Sequence, residues 1–353
     1  MSYQDGLAAI YLETPDRIPR TEYSADQHWE LVEKVTGIKI DPFTSTKEEK
    51  ATASSAFRKA WDYGFSWNVL IHCGDLDKCR TKMGHAEYAT AGTDFNSQVE
   101  CPFEDPEDAF DFNPMEVYGK HDHNLLVKRF NENYKEKMEK YPDTVNTTGT
   151  YITLISGLIE IFGWDIMLTA MGIDAREFGK VANRYADWMQ QYFNALADSD
   201  CPIVKIHDDI VWTEGAFAHP EWYREFVFPN YKKFFAPLKE AGKKIIYTSD
   251  GNFTEFVDDI ADCGVHGFVM EPTTDMAYIA EKYGKTHSFI GNADTRILLR
   301  GTKEDIYNEV KRCIDIGKNC PGFFMAVGNH IPSNTPIENA LYYNEVFEKL
   351  RRR

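Results

Sequence analysis

Positive charge is scarce in this 353-residue chain. Lys and Arg total 39 against 56 Asp and Glu, a net charge of −17. Affinity for nucleic acid depends on clustered basic side chains, so a phosphate-tracking surface is not expected. Paired cysteines are also missing. Cys73, Cys79, Cys101, Cys201, Cys263, Cys313 and Cys320 are odd in number and show no CxxC spacing. A disulfide framework or zinc ribbon therefore has no support, and reduced thiols in a cytoplasmic protein are the expectation. The opening MSYQDGLAAIYLETPDRIPR has no basic start followed by an apolar run, so no secretory signal is expected. No long apolar run is uninterrupted. The most apolar stretch, Tyr151 to Met171, contains Glu160, Gly163 and Asp165. It reads as a buried strand passing into a helix and not as a membrane span. HExxH, GxSxG, Walker and GxGxxG motifs are absent as well.

What remains is a composition suited to a large core, 43% hydrophobic and 14% aromatic. Short apolar runs alternate with helical patterns. Eight candidate strands span Arg20–Ser24, Phe65–Ile71, Gly149–Ile155, Ile203–His207, Lys243–Thr248, Gly267–Glu271, His287–Asn292 and Gly322–Gly328. In the second half these runs are apolar on both faces, as buried parallel strands are. Asp174 with Glu177 opens a long helix whose Phe178, Val181, Tyr185, Trp188, Met189 and Tyr192 share one face. Thr302 with Asp305 opens another, and Thr335-Pro336-Ile337-Glu338 a third. Eightfold strand–helix alternation predicts an α/β fold, a single (β/α)8 TIM-barrel domain over residues 1–353. A doubly wound sheet is the alternative, and it would call for a phosphate-binding loop that the sequence lacks. Residues 74–142 interrupt the alternation and read as an insertion after an early strand, either a lid or a contact in a homo-oligomer.

In such a barrel the reacting groups lie where strands end. The candidate strands end in Glu22-Tyr23, in Trp67-Asn68, in Lys205-Ile206-His207-Asp208-Asp209, in Asp250-Gly251-Asn252, in Glu271-Pro272, in Asn292-Ala293-Asp294 and in Asn329-His330. Each group has a plain structural reading. Asp250 and Asp294 suit helix caps, and Glu271 suits a turn. One of the adjacent Asp208 and Asp209 must point away from any pocket, and His330 suits a loop hydrogen bond. Their convergence on one mouth favours a site. Carboxylates with imidazole suit Zn2+ or another divalent ion, and equally suit a hydrogen-bonding pocket.

Several segments resemble the uroporphyrinogen-decarboxylase-like superfamily, which includes corrinoid-dependent methyltransferases. They are Pro15-Asp-Arg-Ile-Pro-Arg-Thr-Glu-Tyr-Ser24, Ala218-His-Pro-Glu-Trp-Tyr-Arg-Glu-Phe-Val-Phe-Pro229, Ser249-Asp-Gly-Asn252, Gly291-Asn-Ala-Asp-Thr-Arg296 and Gly328-Asn-His-Ile-Pro-Ser-Asn-Thr-Pro336. The decarboxylases of the superfamily carry an Arg-rich segment after the first strand and an Asp after the second. Here Glu22-Tyr23-Ser24 and Asn68 stand at those places. The coenzyme M methyltransferases hold zinc through His-x-Cys and a later Cys, where this chain has Thr248, Asp250 and Asn329. The thiolates are absent, which disfavours a thiol substrate.

The resemblance therefore implies an O-demethylase type of methyltransferase. Its small methylated substrate, an aryl methyl ether, would pass a methyl group to the corrinoid (cobalamin) of a partner protein. It implies Asp250, Glu271 and His330 as zinc ligands, with His207 a fourth ligand or a catalytic group. Asp209 and Asp294 would act as acid or orienting groups. Glu22, Tyr23, Trp67, Asn68 and Asn292 would line the substrate pocket. A decarboxylase and a non-catalytic tetrapyrrole- or corrinoid-binding protein are the alternatives.

Overall fold

The computed structural model describes residues 2–76, 79–81 and 101–353. Six strands form one parallel sheet in chain order: β1 (Thr148–Thr150), β2 (Ile203–His207), β3 (Lys244–Ser249), β4 (Gly267–Met270), β5 (Ser288–Ala293) and β6 (Phe323–Val327). Two further extended segments close the sheet into a ring. Arg20 bridges in parallel to Met325 on one side and to Tyr63 on the other, and Tyr23 bridges to His330. Phe65 then bridges to Val145 and Ile71 to Thr150. All eight expected strand regions thus contribute staves of a TIM barrel, although the third, expected over Gly149–Ile155, is strand only over Thr148–Thr150 and gives way to the helix Ile155–Ile173.

The first two staves are joined by isolated pairs instead of continuous ladders, for a local reason. Pro19 has no N–H to donate and contributes only its carbonyl, to Met325 N–H. Around Ser66–Asn68 the Thr147 hydroxyl takes the place of backbone partners. It donates toward the Asn68 carbonyl at 2.9 Å and accepts from Asn68 N–H at 3.3 Å.

Alternation along each strand sorts the side chains into two layers. Phe65, Val145, Ile203, Ile246, Val269, Ile290 and Phe324 pack inside the barrel. Ala9 and Ile10 of the helix Ser2–Ile10 join them. That helix approaches the second stave so closely that a Cβ on Gly6 would lie 2.0 Å from the Gly64 carbonyl oxygen. Val204, Ile206, Ile245, Tyr247, Phe268, Phe289 and Phe323 point outward beneath the helices.

The helix signals hold with small shifts. Asp174 caps Ala175–Ala197 through Arg176 and Glu177 N–H, and the six expected apolar positions are buried. Thr302 and Asp305 form a reciprocal capping box. The last helix starts one residue later than the Thr335 cap implied, with Pro336 at the boundary before Ile337–Leu350. Ile155–Ile173 is long and apolar enough to cross a membrane, and most of it is buried within the protein. All seven cysteines are free thiols.

The insertion reading is partly corrected. Helix His123–Lys140, capped by Asp122, buries Leu126 and Phe130. Its Asn133 accepts from the Thr148 hydroxyl of β1. It packs on β1 and on Ala175–Ala197, so it is the crossover helix between the second and third staves. Earlier in the expected lid or oligomer contact, the short helices Pro106–Asp111 and Pro114–Val117 precede it, and residues 77–78 and 82–100 of that stretch lie outside the described residues.

Candidate active site at the barrel mouth

The inward positions of β2 and β3 become polar as they approach the mouth. Ile203 is followed at alternate positions by Lys205, His207 and Asp209, and Ile246 by Thr248 and Asp250. The side chains therefore climb from an apolar floor into a polar chamber.

That chamber has a volume of about 50 Å³ and is walled by Tyr23, Trp67 and Tyr151. Lys205, His207, Thr248, Asp250, Asn329 and His330 supply its polar lining. Tyr23, Trp67 and His330 also line an adjoining vestibule of about 440 Å³ that includes Arg58 and Ser333. On another side Asp250, Asp209 and Glu271 line an open groove with Trp164 and Trp212. Trp67 and Tyr23 meet edge to face with centroids 5.9 Å apart, and Tyr23 meets His330 the same way at 4.6 Å.

Three carboxyl groups cluster between chamber and groove. Asp250 N–H donates to Asp209 Oδ1 at 2.8 Å, and Gly251 N–H donates to Glu271 Oε2 at 2.7 Å. Asn329 Nδ2 donates to Glu271 Oε1 at 2.5 Å and reaches Asp250 Oδ2 at 3.5 Å. Burial, followed by the charges of Asp209 and Glu271, drives the Asp250 carboxyl well above the ordinary carboxylate range. His207 Nε2 lies 3.0 Å from Asp209 Oδ2, and its ring stacks on Tyr151 at 4.1 Å. Burial and then Lys205 push His330 down to about 4, so its ring is neutral at physiological pH.

The expected zinc triad does not form as a ligand set. Asp250, Glu271 and His330 reach the same mouth, but His330 Nδ1 is 2.8 Å from Ser24 Oγ and the Asn329 amide sits between the two carboxylates. Among the described residues no three His, Cys, Asp or Glu side chains are placed to share one ion. The positions implied by the thiolate enzymes, Thr248, Asp250 and Asn329, do converge on the chamber. They bring a hydroxyl, an amide donor and a desolvated carboxyl beside a lysine. The Asn329 amide N–H stands between Glu271 and Asp250 where a cation would bridge them, and the residues do not fit a divalent metal.

Four other expectations change. Asp294 is a helix cap: it accepts from Arg296 N–H at 2.8 Å, pairs with the Arg296 guanidinium, and lines none of these three cavities. Asn292 is buried, and its amide is used by the Glu271 and Thr274 carbonyls and by Arg312. Glu22 borders the vestibule, but both its oxygens are engaged. Oε1 accepts from Arg20 and from the Tyr343 hydroxyl, each at 2.7 Å, and Oε2 accepts from Val327 N–H. Asn68 turns its amide to Ser66 and Asn146 and lines neither the chamber nor the vestibule. In all four a strand-end polar group is consumed by holding the barrel together. Of the adjacent pair, Asp208 is the structural one. It accepts from Leu154, Ile155 and Ser156 N–H and from the Tyr231 hydroxyl, at the start of helix Ile155–Ile173.

Reading strand ends named Lys205 in the run Lys205–Asp209 but gave it no role, and did not single out Tyr151. Lys205 is 2% exposed and places Nζ 4.9 Å from the Trp67 ring centroid and 5.5 Å from that of Tyr23. Burial lowers its pKa to about 8, against the raising influence of Asp250 and Asp209. A Lys midway between Ile203 and His207 in a buried strand was the signal available.

With this geometry in view, comparison with known proteins places the chain. A family model described as uroporphyrinogen decarboxylase (URO-D) matches residues 72–350. The uroporphyrinogen decarboxylase of Carboxydothermus hydrogenoformans is 28% identical over 173 residues, which is 48% of this chain and 47% of that protein. A uroporphyrinogen decarboxylase of Thermus thermophilus is 25% identical over 171 residues, 48% of each chain. The chain thus spans about half the length of the curated relatives it matches. A methyltransferase from Methanosarcina mazei has the same fold, with a TM-score of 0.65 at 17% identity over 99% of this chain and 98% of that one. Matched over most of its length by the family model, the chain belongs to the uroporphyrinogen decarboxylase (URO-D) family.

Proposed function

We propose that this protein is a methyltransferase that demethylates an aryl methyl ether and passes the methyl group to the reduced corrinoid of a partner protein, with Asp250 as general acid. The observation that carries this reading is the Asp250 carboxyl. It is desolvated and set against two other carboxylates, so it retains a proton above the ordinary carboxylate range, and it lines an aromatic-walled chamber. An ether oxygen is a poor leaving group until it is protonated, and a proton donor held at the reacting oxygen contributes typically about 10²–10⁴ in rate.

The division of space supports the same reading. About 50 Å³ accommodates a methoxy-sized group, given that a cavity of about 10–15 Å³ on the same measure already holds a water. The vestibule offers room for the ring, between Tyr23 and Trp67. Asp209 holds the Asp250 backbone in place, and His207 orients Asp209. The co-substrate corrinoid supplies the electron pair that takes the methyl carbon.

A porphyrinogen or small-acid decarboxylase, suggested by the names of the curated relatives, predicts several arginines around the cavity. Arg58 is the one arginine lining the chamber or vestibule among the described residues, and Asp26 and Ser66 already hold it. The deciding experiment incubates the protein with methoxyarenes and a reduced corrinoid protein, following the corrinoid spectrum and the free phenol. Methyl transfer with phenol release is expected. Carbon dioxide release from porphyrinogens, with no transfer from any ether, overturns the proposal.

A further inference from the structure

Among the described residues, Lys205 Nζ and Thr248 Oγ1 are two of the polar groups on residues lining the inner chamber that lack a hydrogen-bond partner, and the Trp67 indole Nε1 is another. Among the described residues Lys205 Nζ makes no hydrogen bond or ion pair, and its neighbours are the ring faces of Trp67 and Tyr23. Thr248 Oγ1 is buried and likewise without a hydrogen-bond partner. Both line the same space. A buried donor left unpaired costs free energy, and a buried ammonium more so, unless a ligand supplies the acceptor.

The neighbouring acids do not supply it. Asp209 is engaged by His207 and by Asp250 N–H, and Asp250 faces Asn329. The chamber therefore carries one desolvated cation and one free hydroxyl, framed by three aromatic rings. The complementary ligand group is an oxygen bearing negative charge on an aromatic ring.

We propose that Lys205 Nζ and Thr248 Oγ1 form an oxyanion pocket for a phenolate oxygen. The identity of that oxygen rests on the methyl-transfer reading. The bond between methyl carbon and ether oxygen breaks, and its electron pair stays on the oxygen. The methyl carbon bonds to the electron pair of the reduced corrinoid. As the ether bond breaks, the phenolate-like charge growing on the oxygen faces the Lys205 ammonium while the Asp250 proton moves onto it, and the phenol leaves. Donors prepositioned where charge develops are worth more in a desolvated site than in water. The same ammonium already occupies the Tyr23 and Trp67 faces, so cationic methyl donors are repelled.

The test uses the full chain with 4-nitrophenol, whose ionised and neutral forms absorb differently, and needs neither corrinoid nor methyl donor. Bound nitrophenol is expected to be more ionised than free nitrophenol at the same pH, its ionisation constant shifted by about tenfold or more. Lys205→Met should abolish the shift, Lys205→Arg should restore part of it, and Thr248→Val should reduce it severalfold. No binding, binding with unchanged ionisation, or an equal shift in Lys205→Met overturns the pocket. If Lys205→Met does not fold, the wild-type shift and Thr248→Val decide. A shift that persists in a protein incapable of methyl transfer leaves the pocket standing and removes the reaction assigned to it.

Discussion

The backbone N–H of Asp250 donates to Oδ1 of Asp209 across 2.8 Å, fixing two carboxyl groups side by side at the ends of β3 and β2. This bond keeps Asp250 beside a second negative charge, so its ionisation is opposed by burial and by Asp209 together. Asp250→Asn keeps the shape and removes the proton. Turnover is expected to fall by about 10²–10⁴ with the fold intact. Because the acid form is the active one, wild-type turnover should decline as pH rises through the raised Asp250 value, and in the residual activity of Asp250→Asn only the alkaline limb from loss of the Lys205 proton should remain. A pH–rate profile with matched circular dichroism spectra checks both.

Lys205 is held at about 8 in place of 10.5, so the folded state binds the proton less tightly than the unfolded chain. Between these values the unfolded state carries more protons, and stability from this group rises with pH across that window. Below it a constant penalty remains. Lys205→Met should therefore be more stable at pH 7 by about 3 kcal/mol, an order-of-magnitude figure from the size of the shift. The stability gain of the wild type between pH 8 and 10.5 should flatten in the variant. Urea melts at several pH values measure this directly.

Glu22 is 1% exposed and bonds Arg20, Tyr343 and Val327, linking the first stave to the last strand and the last helix. Burial outweighs the Arg20 pairing and raises its pKa, so the ion pair is expensive to keep. Removing one partner strands the other. Glu22→Ala is expected to cost about 3–5 kcal/mol, while the double replacement Arg20→Met with Glu22→Leu should recover much of that loss. Denaturant midpoints of the single and double variants give the comparison.

The Asn329 amide already donates into the acid cluster between Glu271 and Asp250, so extracting divalent ions should leave the protein unchanged. Dialysis against a chelator is expected to alter neither the melting temperature nor the methyl-transfer rate. Stoichiometric zinc in the purified protein, lost together with activity and restored on its addition, is the contrary result.

The barrel was largely legible in the sequence because buried parallel strands and capped helices leave local patterns. The runs around Ile203, Ile246, Phe289 and Phe323 mark their strands, and Asp174 and Thr302 mark their helices. The site was legible only in part. Asp250, Tyr23 and Trp67, named from strand ends, reach the chamber. Strand-end position cannot say whether a polar group faces the cavity or is consumed by its neighbours, as Asp294, Asn292 and Glu22 are. Those partners lie far along the chain: Glu22 meets Val327 and Tyr343 across some 300 residues. Lys205, though named in its strand end, was given no role for the opposite reason. It sits below the rim, and only the two-residue repeat from Ile203 to His207 reveals that it faces inward.

The isolated bridges from Arg20 to Tyr63 and Met325 are the thinnest part of the hoop, and the chamber is built across them. Tyr23 stands on one lip of this seam and His330 on the other. A transient parting there splits the aromatic walls while β1 to β6 remain paired. Mild heat or denaturant should accordingly silence the protein before it melts, and the amides of Thr21 and Gly64 should exchange with solvent ahead of those in β3.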